Sequence, residues 1–262
     1  MLSSRGNHCS SSWSRWCWWT VYLAVTVGTV HAKSPTKTYT GYKLNPKSLR
    51  MIYYYDQTIA IVEVGDAKAL LNCELVEIYN DDEGKEMLKN LTKINKPLRI
   101  TLDQMMRLMG QCDLLDPSQV DANEVRLRTL GASDNQTDSN GDRKTTASSL
   151  YSGILPGTKW CGSGDLATSF FDLGPEIKLD KCCRTHDLCP SKVRSFSTRY
   201  NITNNSMYTK SHCMCDQTFY NCLKKAKHPT GDIMGSIYFN LLTVPCVEEY
   251  NGKTIFKVPP RY

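Results

Sequence analysis

The apolar and polar residues of positions 33–131 predict two kinds of secondary structure, strands and helices. Residues 51–64 and 71–79 are rich in Tyr, Ile and Val and end at turn-forming residues, which predicts β-strands. Residues 86–93 and 102–110 are predicted to form helices. We therefore predict a small α+β unit here, which is either a folded pro-region or an ancillary domain, because no motif within it indicates chemistry of its own.

Two cysteine-rich segments later in the chain have helical spacing. Cys182, His186 and Cys189 recur at i, i+4 and i+7, and Cys215 and Cys222 repeat the seven-residue interval. Residues at these intervals share one face of a helix. The pattern predicts two antiparallel helices that are bridged twice, from Cys182 to Cys222 and from Cys189 to Cys215. His186 then lies between the bridges.

A polar segment separates the predicted α+β unit from the cysteine-rich segments. Residues 132–149 contain no large apolar side chain, which predicts a flexible linker that is open to proteolysis. The dibasic pair Arg143 and Lys144 within it fits a processing site and a chance pair equally well. A second domain is predicted over residues 150–262.

The first 32 residues have the layout of a secretory signal peptide. Arginines precede an apolar run over residues 16–30, and a small-x-small site predicts cleavage after Ala32. A membrane anchor is the alternative, but this run is shorter than the ~20 residues of a spanning helix. The protein is therefore predicted to be secreted and extracellular. Four sequons are compatible with glycosylation: Asn90, Asn135, Asn201 and Asn204.

Cysteine is abundant in the second half of the chain. Signal cleavage removes two of the 12 cysteines, and the rest form either disulfides or a zinc site. Pairs with the spacing of zinc ligands are missing and secretion disfavours free thiolates, so disulfides are predicted. Beyond the two helix bridges, the expected pairs are Cys161–Cys183, Cys213–Cys246 and Cys73–Cys112.

The net charge of +6 is too small and too dispersed to indicate nucleic-acid binding. Most of the positive excess falls in residues 151–262. An anionic surface, such as a membrane, is therefore attracted to the cysteine-rich region rather than to the region before it.

A glycine-containing loop precedes the first cysteine-bearing helix. Gly162 and Gly164 permit backbone geometries that other residues avoid. Backbone oxygens of Trp160, Gly162 and Gly164 could meet the carboxylate of Asp187, and ligation by oxygen alone suits Ca²⁺. Because Asp187 directly follows His186, a metal and a general base would be neighbours.

The loop WCGSG (residues 160–164) followed by CCRTHDLC (182–189) resembles the group III, bee-venom-like secretory phospholipases A2. The resemblance continues through SHCMCD, FYNCLK and IYFNL and covers about 100 of the 262 residues. It implies a mainly α, disulfide-stapled module with two long antiparallel helices, preceded here by the small α+β region.

The resemblance also implies roles for individual residues. His186 is implied to be the base that activates a water, Asp216 to orient its imidazole, and Tyr238 to support this pair. The implied Ca²⁺ ligands are three backbone oxygens and one carboxylate: Trp160, Gly162, Gly164 and Asp187.

The implied reaction is hydrolysis of the sn-2 ester of a glycerophospholipid to a free fatty acid and a lysophospholipid. A monomer bound peripherally to a phospholipid membrane is expected to carry it out. The alternative is a catalytically weak phospholipase A2-like module that acts as a receptor ligand or binding protein.

Overall fold

A computed structural model describes residues 37–115 and 153–262, which belong to one compact unit. The predicted signal peptide and linker lie outside the described residues. The predicted domain boundaries therefore stay predictions.

A four-stranded sheet forms the first described region. Its strands are β1 (Leu49–Tyr55), β2 (Thr58–Val64), β3 (Leu70–Glu77) and β4 (Leu98–Arg99), in the order β3-β2-β1-β4. The first three pair antiparallel, and β4 runs parallel to β1. The run predicted as one strand over 51–64 is a hairpin, because Asp56 adopts a positive φ of 42° and turns the chain.

Two helices accompany this sheet, α1 (Asp81–Leu91) and α2 (Leu102–Asp113). Asn80 begins α1 by accepting a hydrogen bond from the Glu83 N–H, at 2.9 Å. A reciprocal pair of hydrogen bonds between Thr101 and Gln104 caps the start of α2. The Cys73–Cys112 disulfide ties β3 to the end of α2.

The second described region mixes short helices with short strands. Its helices are α3 (Ile177–Asp187), α4 (Cys213–Ala226) and α5 (Pro229–Gly235), followed by a π-helical turn over Ser236–Leu241. Three two-stranded sheets complete it: β5 (Lys192–Val193) with β8 (Lys210–Ser211), β6 (Ser197–Arg199) with β7 (Ile202–Asn204), and β9 (Cys246–Tyr250) with β10 (Lys253–Lys257).

The predicted mainly α fold with two long antiparallel helices is therefore wrong. The two cysteine-bearing helices have 11 and 14 residues, and about a quarter of the described residues lie in strands. Cysteine spacing indicates only which helix faces are bridged, not where the helices end. Helix α3 ends at Asp187, three residues before Pro190, and positive φ angles at Phe196, Tyr200 and Asn201 then turn the connection to α4 back on itself.

Four disulfides hold the second region together and join the cysteines in the predicted pairs. They are Cys161–Cys183, Cys182–Cys222, Cys189–Cys215 and Cys213–Cys246. Two of them bind α3 to α4. In a small module each native bridge stabilises the fold by ~2–5 kcal/mol, and this density of disulfides fits an extracellular protein.

One hydrophobic core runs through both described regions. Met105, Met106 and Met109 of α2 belong to the same buried cluster as Trp160 and Phe219. Within the ranges 37–115 and 153–262, no helix has the length and apolar character needed to cross a bilayer.

Candidate active site

A histidine and a carboxylate meet between α3 and α4. His186 lies in the last turn of α3 and Asp216 in the first turn of α4, and His186 Nε2 is 2.8 Å from Asp216 Oδ1. The Cys182–Cys222 and Cys189–Cys215 bridges lie on either side of this contact along the chain. Asp216 is only 2% exposed, so its charge acts on the imidazole with little screening by water.

Aromatic rings fix the orientation of the imidazole. His186 stacks on Phe219 with 4.5 Å between ring centroids and meets the edge of Tyr238 at 5.1 Å. Tyr238 Oη donates to Asp216 Oδ1 at 3.1 Å. Burial, followed by the charge of Asp216, raises the pKa of Tyr238 well above its usual value. The phenol therefore stays a hydrogen-bond donor at neutral pH. Because Nε2 contacts Asp216, Nδ1 is the imidazole nitrogen that makes no contact with this carboxylate.

The glycine loop follows a path that two of its residues make possible. A Cβ atom at Gly162 would lie 2.2 Å from the carbonyl oxygen of Gly153, so only glycine fits there. Gly164 has a φ of +86°, in the left-handed region. The hydrogen bond from Leu155 N to Cys161 O, at 2.8 Å, pairs the loop with the segment before it.

Asp180 anchors this loop to α3, and the sequence analysis did not identify it. Asp180 is fully buried, and its carboxylate accepts hydrogen bonds from the N–H groups of Lys159, Trp160 and Gly174 at 2.7–3.0 Å. Burial raises its pKa, although those hydrogen bonds oppose the rise. A sequence signal existed, because Asp180 lies seven residues before Asp187 and so shares its helix face.

We expect Asp180→Asn to lower the free energy of unfolding by about 2 kcal/mol, because an amide cannot accept from three donors and its own NH₂ would face them. Urea unfolding measures the change. Asp103→Asn is the matched control, because Asp103 forms an exposed i,i+4 ion pair with Arg107 on α2. Equal unfolding midpoints for the two variants would contradict the anchoring role.

The glycine loop and Asp187 have the donor chemistry of a Ca²⁺ site. Asp187 Oδ2 is buried and has no hydrogen-bond partner among the described residues. Burial raises the pKa of Asp187 well above its usual range, which is the situation that a bound cation relieves. No group of three or more His, Cys, Asp or Glu side chains within the described residues is arranged to hold a metal. A cation here would therefore depend on backbone oxygens as well as on Asp187, which suits calcium.

Most of the predicted site residues line one cavity of about 530 Å³. His186, Asp187 and Tyr238 line it together with Trp160, Gly162 and Gly164. Asp216 does not line this cavity, because it lies behind the imidazole of His186. The structure thus brings the seven predicted residues into one neighbourhood, and their individual roles stay predictions.

The first described region also contributes to this cavity, which the sequence did not indicate. Glu77, at the end of β3, and Tyr79 form part of the wall. Glu77 pairs with Lys192 and Arg194, both at 2.6 Å. Lys37 forms an ion pair with Asp165, the residue after Gly164. These contacts cross from one described region to the other and carry no sequence motif.

Comparison with known proteins identifies the family. A family model described as phospholipase A2 matches residues 154–250. The chain is 42% identical over 100 residues to the phospholipase A2 isozymes PA3A/PA3B/PA5 of Heloderma suspectum, and this match covers 38% of the chain and 70% of that protein. The chain belongs to the phospholipase A2 family.

Other phospholipases A2 align with the same region. The phospholipase A2 of Xylocopa aruana is 41% identical over 93 residues, covering 36% of this chain and 52% of that protein. The group 3 secretory phospholipase A2 of Bos taurus is 46% identical over 92 residues, covering 35% of this chain but only 18% of that protein. The predicted family and the predicted enzyme class, phospholipase A2, are confirmed.

Proposed function

We propose that the protein is a secreted, Ca²⁺-dependent phospholipase A2 that cleaves the sn-2 ester of glycerophospholipids to a free fatty acid and a lysophospholipid. The observation that carries the proposal is the His186–Asp216 pair, whose imidazole faces the same cavity as Asp187 and the glycine loop. A base, a carboxylate that orients it and an oxygen-lined site that could hold an electrophilic cation are the parts that water-mediated ester hydrolysis requires.

His186 acts as the general base through Nδ1, because Nε2 is held by Asp216. Nδ1 takes a proton from water as the water oxygen bonds to the ester carbonyl carbon. The resulting tetrahedral intermediate collapses by breaking the bond to the glycerol oxygen. The imidazolium returns its proton to that oxygen, which leaves as the hydroxyl of the lysophospholipid. Asp216 stabilises the imidazolium between the two steps, and Tyr238 holds Asp216 in place.

The residues that would hold Ca²⁺ are Asp187, through its carboxylate, and Trp160, Gly162 and Gly164, through backbone oxygens. When bound, Ca²⁺ would supply positive charge beside the substrate phosphate and beside the carbonyl oxygen of the sn-2 ester, where negative charge develops. The Asp180 anchor and the Cys161–Cys183 bridge keep the glycine loop next to α3. Little reorganisation of the protein is therefore needed for the substrate to bind.

The mouth of the cavity carries apolar side chains suited to a lipid surface. Met207 and Tyr208 line the cavity and are 71% and 38% exposed. Exposed apolar groups beside a binding cavity, together with the positive excess of residues 151–262, support peripheral binding to an anionic phospholipid membrane.

A product assay tests the proposed reaction. Vesicles of phosphatidylcholine and an anionic phospholipid, labelled separately in the sn-1 and sn-2 chains, should release only the sn-2 fatty acid, and lysophospholipid should appear in equal amount. Vesicles of an analogue with an ether in place of the sn-2 ester are the control and should give no product. Release of the sn-1 chain would contradict the assigned position. No release at all would favour the binding-module alternative.

A further inference from the structure

The residues on both sides of the His186–Asp187 pair are fastened to the first described region. Thr185, just before the pair, donates from Oγ1 to Asp113 Oδ2 at 2.6 Å. Leu188, just after it, accepts at its carbonyl oxygen from Thr58 Oγ1 at 2.8 Å. The proposed base and metal ligand therefore lie between two hydrogen bonds to residues far away in sequence.

The anchor before the pair is the end of α2. Arg184 is 3% exposed, and its Nη2 lies 3.2 Å from Asp113 Oδ1. Lys181, one turn earlier on α3, donates from Nζ to the carbonyl oxygens of Asp113 and Leu115 at 2.9 and 2.8 Å. The C-terminal end of α2 therefore receives three neighbouring polar side chains of α3.

The anchor after the pair is formed by Gln57, in the turn between β1 and β2, and by Thr58, the first residue of β2. Gln57 donates from its backbone N–H to Pro190 O at 3.0 Å and from Nε2 to Lys192 O at 2.8 Å. Thr58 is completely buried and Gln57 is 1% exposed. The last carbonyl groups of a helix have no partner within the helix, and the Thr58 hydroxyl supplies one to Leu188, the C-cap residue of α3.

Besides these polar contacts, the two described regions share one continuous hydrophobic core. The α2 methionines pack in one buried cluster with residues of α3 and α4, and Met106 Sδ lies 3.6 Å from Cys215 Sγ. Cys215 forms the bridge to Cys189, three residues after His186. Removal of residues 37–115 would expose this core and leave the buried Arg184 without its carboxylate partner.

We propose that residues 37–115 are a permanent positioning part of the enzyme, in which Asp113 and Thr58 fix the segment that carries His186 and Asp187. They are not a pro-segment whose removal releases activity. The inference rests on the proposed roles of His186 and Asp187, and it makes Asp113 and Thr58 positioning residues for the reaction.

Substitutions at Thr58 in the full chain test the anchor after the pair. Thr58→Val keeps the shape and removes the hydroxyl, and we expect kcat to fall about 10-fold with KM unchanged, because a small displacement of a base costs rate rather than binding. Thr58→Ser retains the hydroxyl and should keep kcat near that of the wild type. Thr92→Val is the matched control, because its exposed hydroxyl donates to Lys89 O within the first region; it should leave kcat unchanged.

Hydrogen exchange measured by mass spectrometry gives a readout that needs no activity. The amides of residues 185–189 should exchange at least 5-fold faster in Thr58→Val than in the wild type or Thr92→Val, because a lost tertiary hydrogen bond favours local opening. If the wild-type protein hydrolyses no phospholipid, the proposed function fails, yet the exchange rates still test the anchor. Wild-type kcat together with wild-type exchange in Thr58→Val would overturn the proposal.

Cleavage of the full chain between its two described regions distinguishes the two hypotheses for residues 37–115, a positioning unit or a pro-segment. All described disulfides lie within 37–115 or within 153–262, so a protease site introduced in residues 132–149 would leave these two parts held without a covalent link. We expect the cut protein to elute as one species with unchanged kcat. A rise in kcat accompanied by dissociation of the N-terminal fragment would overturn the proposal.

Discussion

We expect His186→Gln to lower kcat by about 10²–10⁴-fold, which is the usual contribution of a general base. Glutamine is similar in size and polarity to histidine but takes up no proton near neutral pH. Its amide can still meet Asp216, so the fold and the cavity wall should persist. Hydrolysis of phospholipid vesicles measures the loss, and circular dichroism checks that the variant is folded.

The hydrogen-bond partner of His186 provides a graded comparison. Asp216→Asn should cost less than His186→Gln, because it perturbs the orientation of the base and the stabilisation of the imidazolium without removing the base. Vesicle association should survive in His186→Gln, since the apolar cavity rim and the basic surface are untouched. A folded His186→Gln protein that hydrolyses vesicles at the wild-type rate would refute the enzymatic mechanism.

We expect excess EGTA to abolish hydrolysis and added Ca²⁺ to restore it, with half-maximal activity at ~10⁻⁴–10⁻³ M. The proposed site offers one carboxylate and three backbone oxygens, and sites with so little negative charge lie at the weak, extracellular end of calcium affinities. Direct binding can be followed without substrate by titration calorimetry. Full activity in the chelator would contradict the metal assignment.

Asp187→Asn isolates the contribution of the carboxylate to Ca²⁺ binding. We expect it to weaken calcium binding and activity together, because an amide oxygen carries no charge, whereas His186→Gln should leave calcium binding intact. Asp103→Asn is again the matched control, since it removes one exposed carboxylate that does not line the cavity. Equal calcium titrations for Asp187→Asn and Asp103→Asn would exclude Asp187 as a ligand.

The sequence indicated the local geometry of the site because that geometry depends on helix periodicity and on covalent bridges. The seven-residue interval of Cys182 and Cys189, repeated by Cys215 and Cys222, was enough to pair the cysteines of α3 and α4 as the structure has them. Once these pairs are set, His186 has to lie near the first turn of α4, where Asp216 lies.

Cysteine spacing could not predict the fold class, because it carries no information about where helices end. Disulfide spacing constrains faces that touch, whereas helix ends and hairpins depend on caps, prolines and positive φ angles spread along the connecting segments. The region between α3 and α4 forms short strands, and its turns depend on Pro190, Phe196 and Tyr200. The prediction of long helices did not take these residues into account.

The sequence by itself determined the family, the cysteine pairing and the residues nearest the proposed chemistry, because these depend on short intervals along the chain. Only the tertiary structure decided that Asp180 holds the glycine loop, that Glu77 and Tyr79 line the cavity, and that Thr58 and Asp113 fasten the segment that carries His186 and Asp187. Each of these contacts satisfies a buried polar group with a partner set by packing. Buried polar groups require a partner, but no interval in the sequence says which distant residue will supply it.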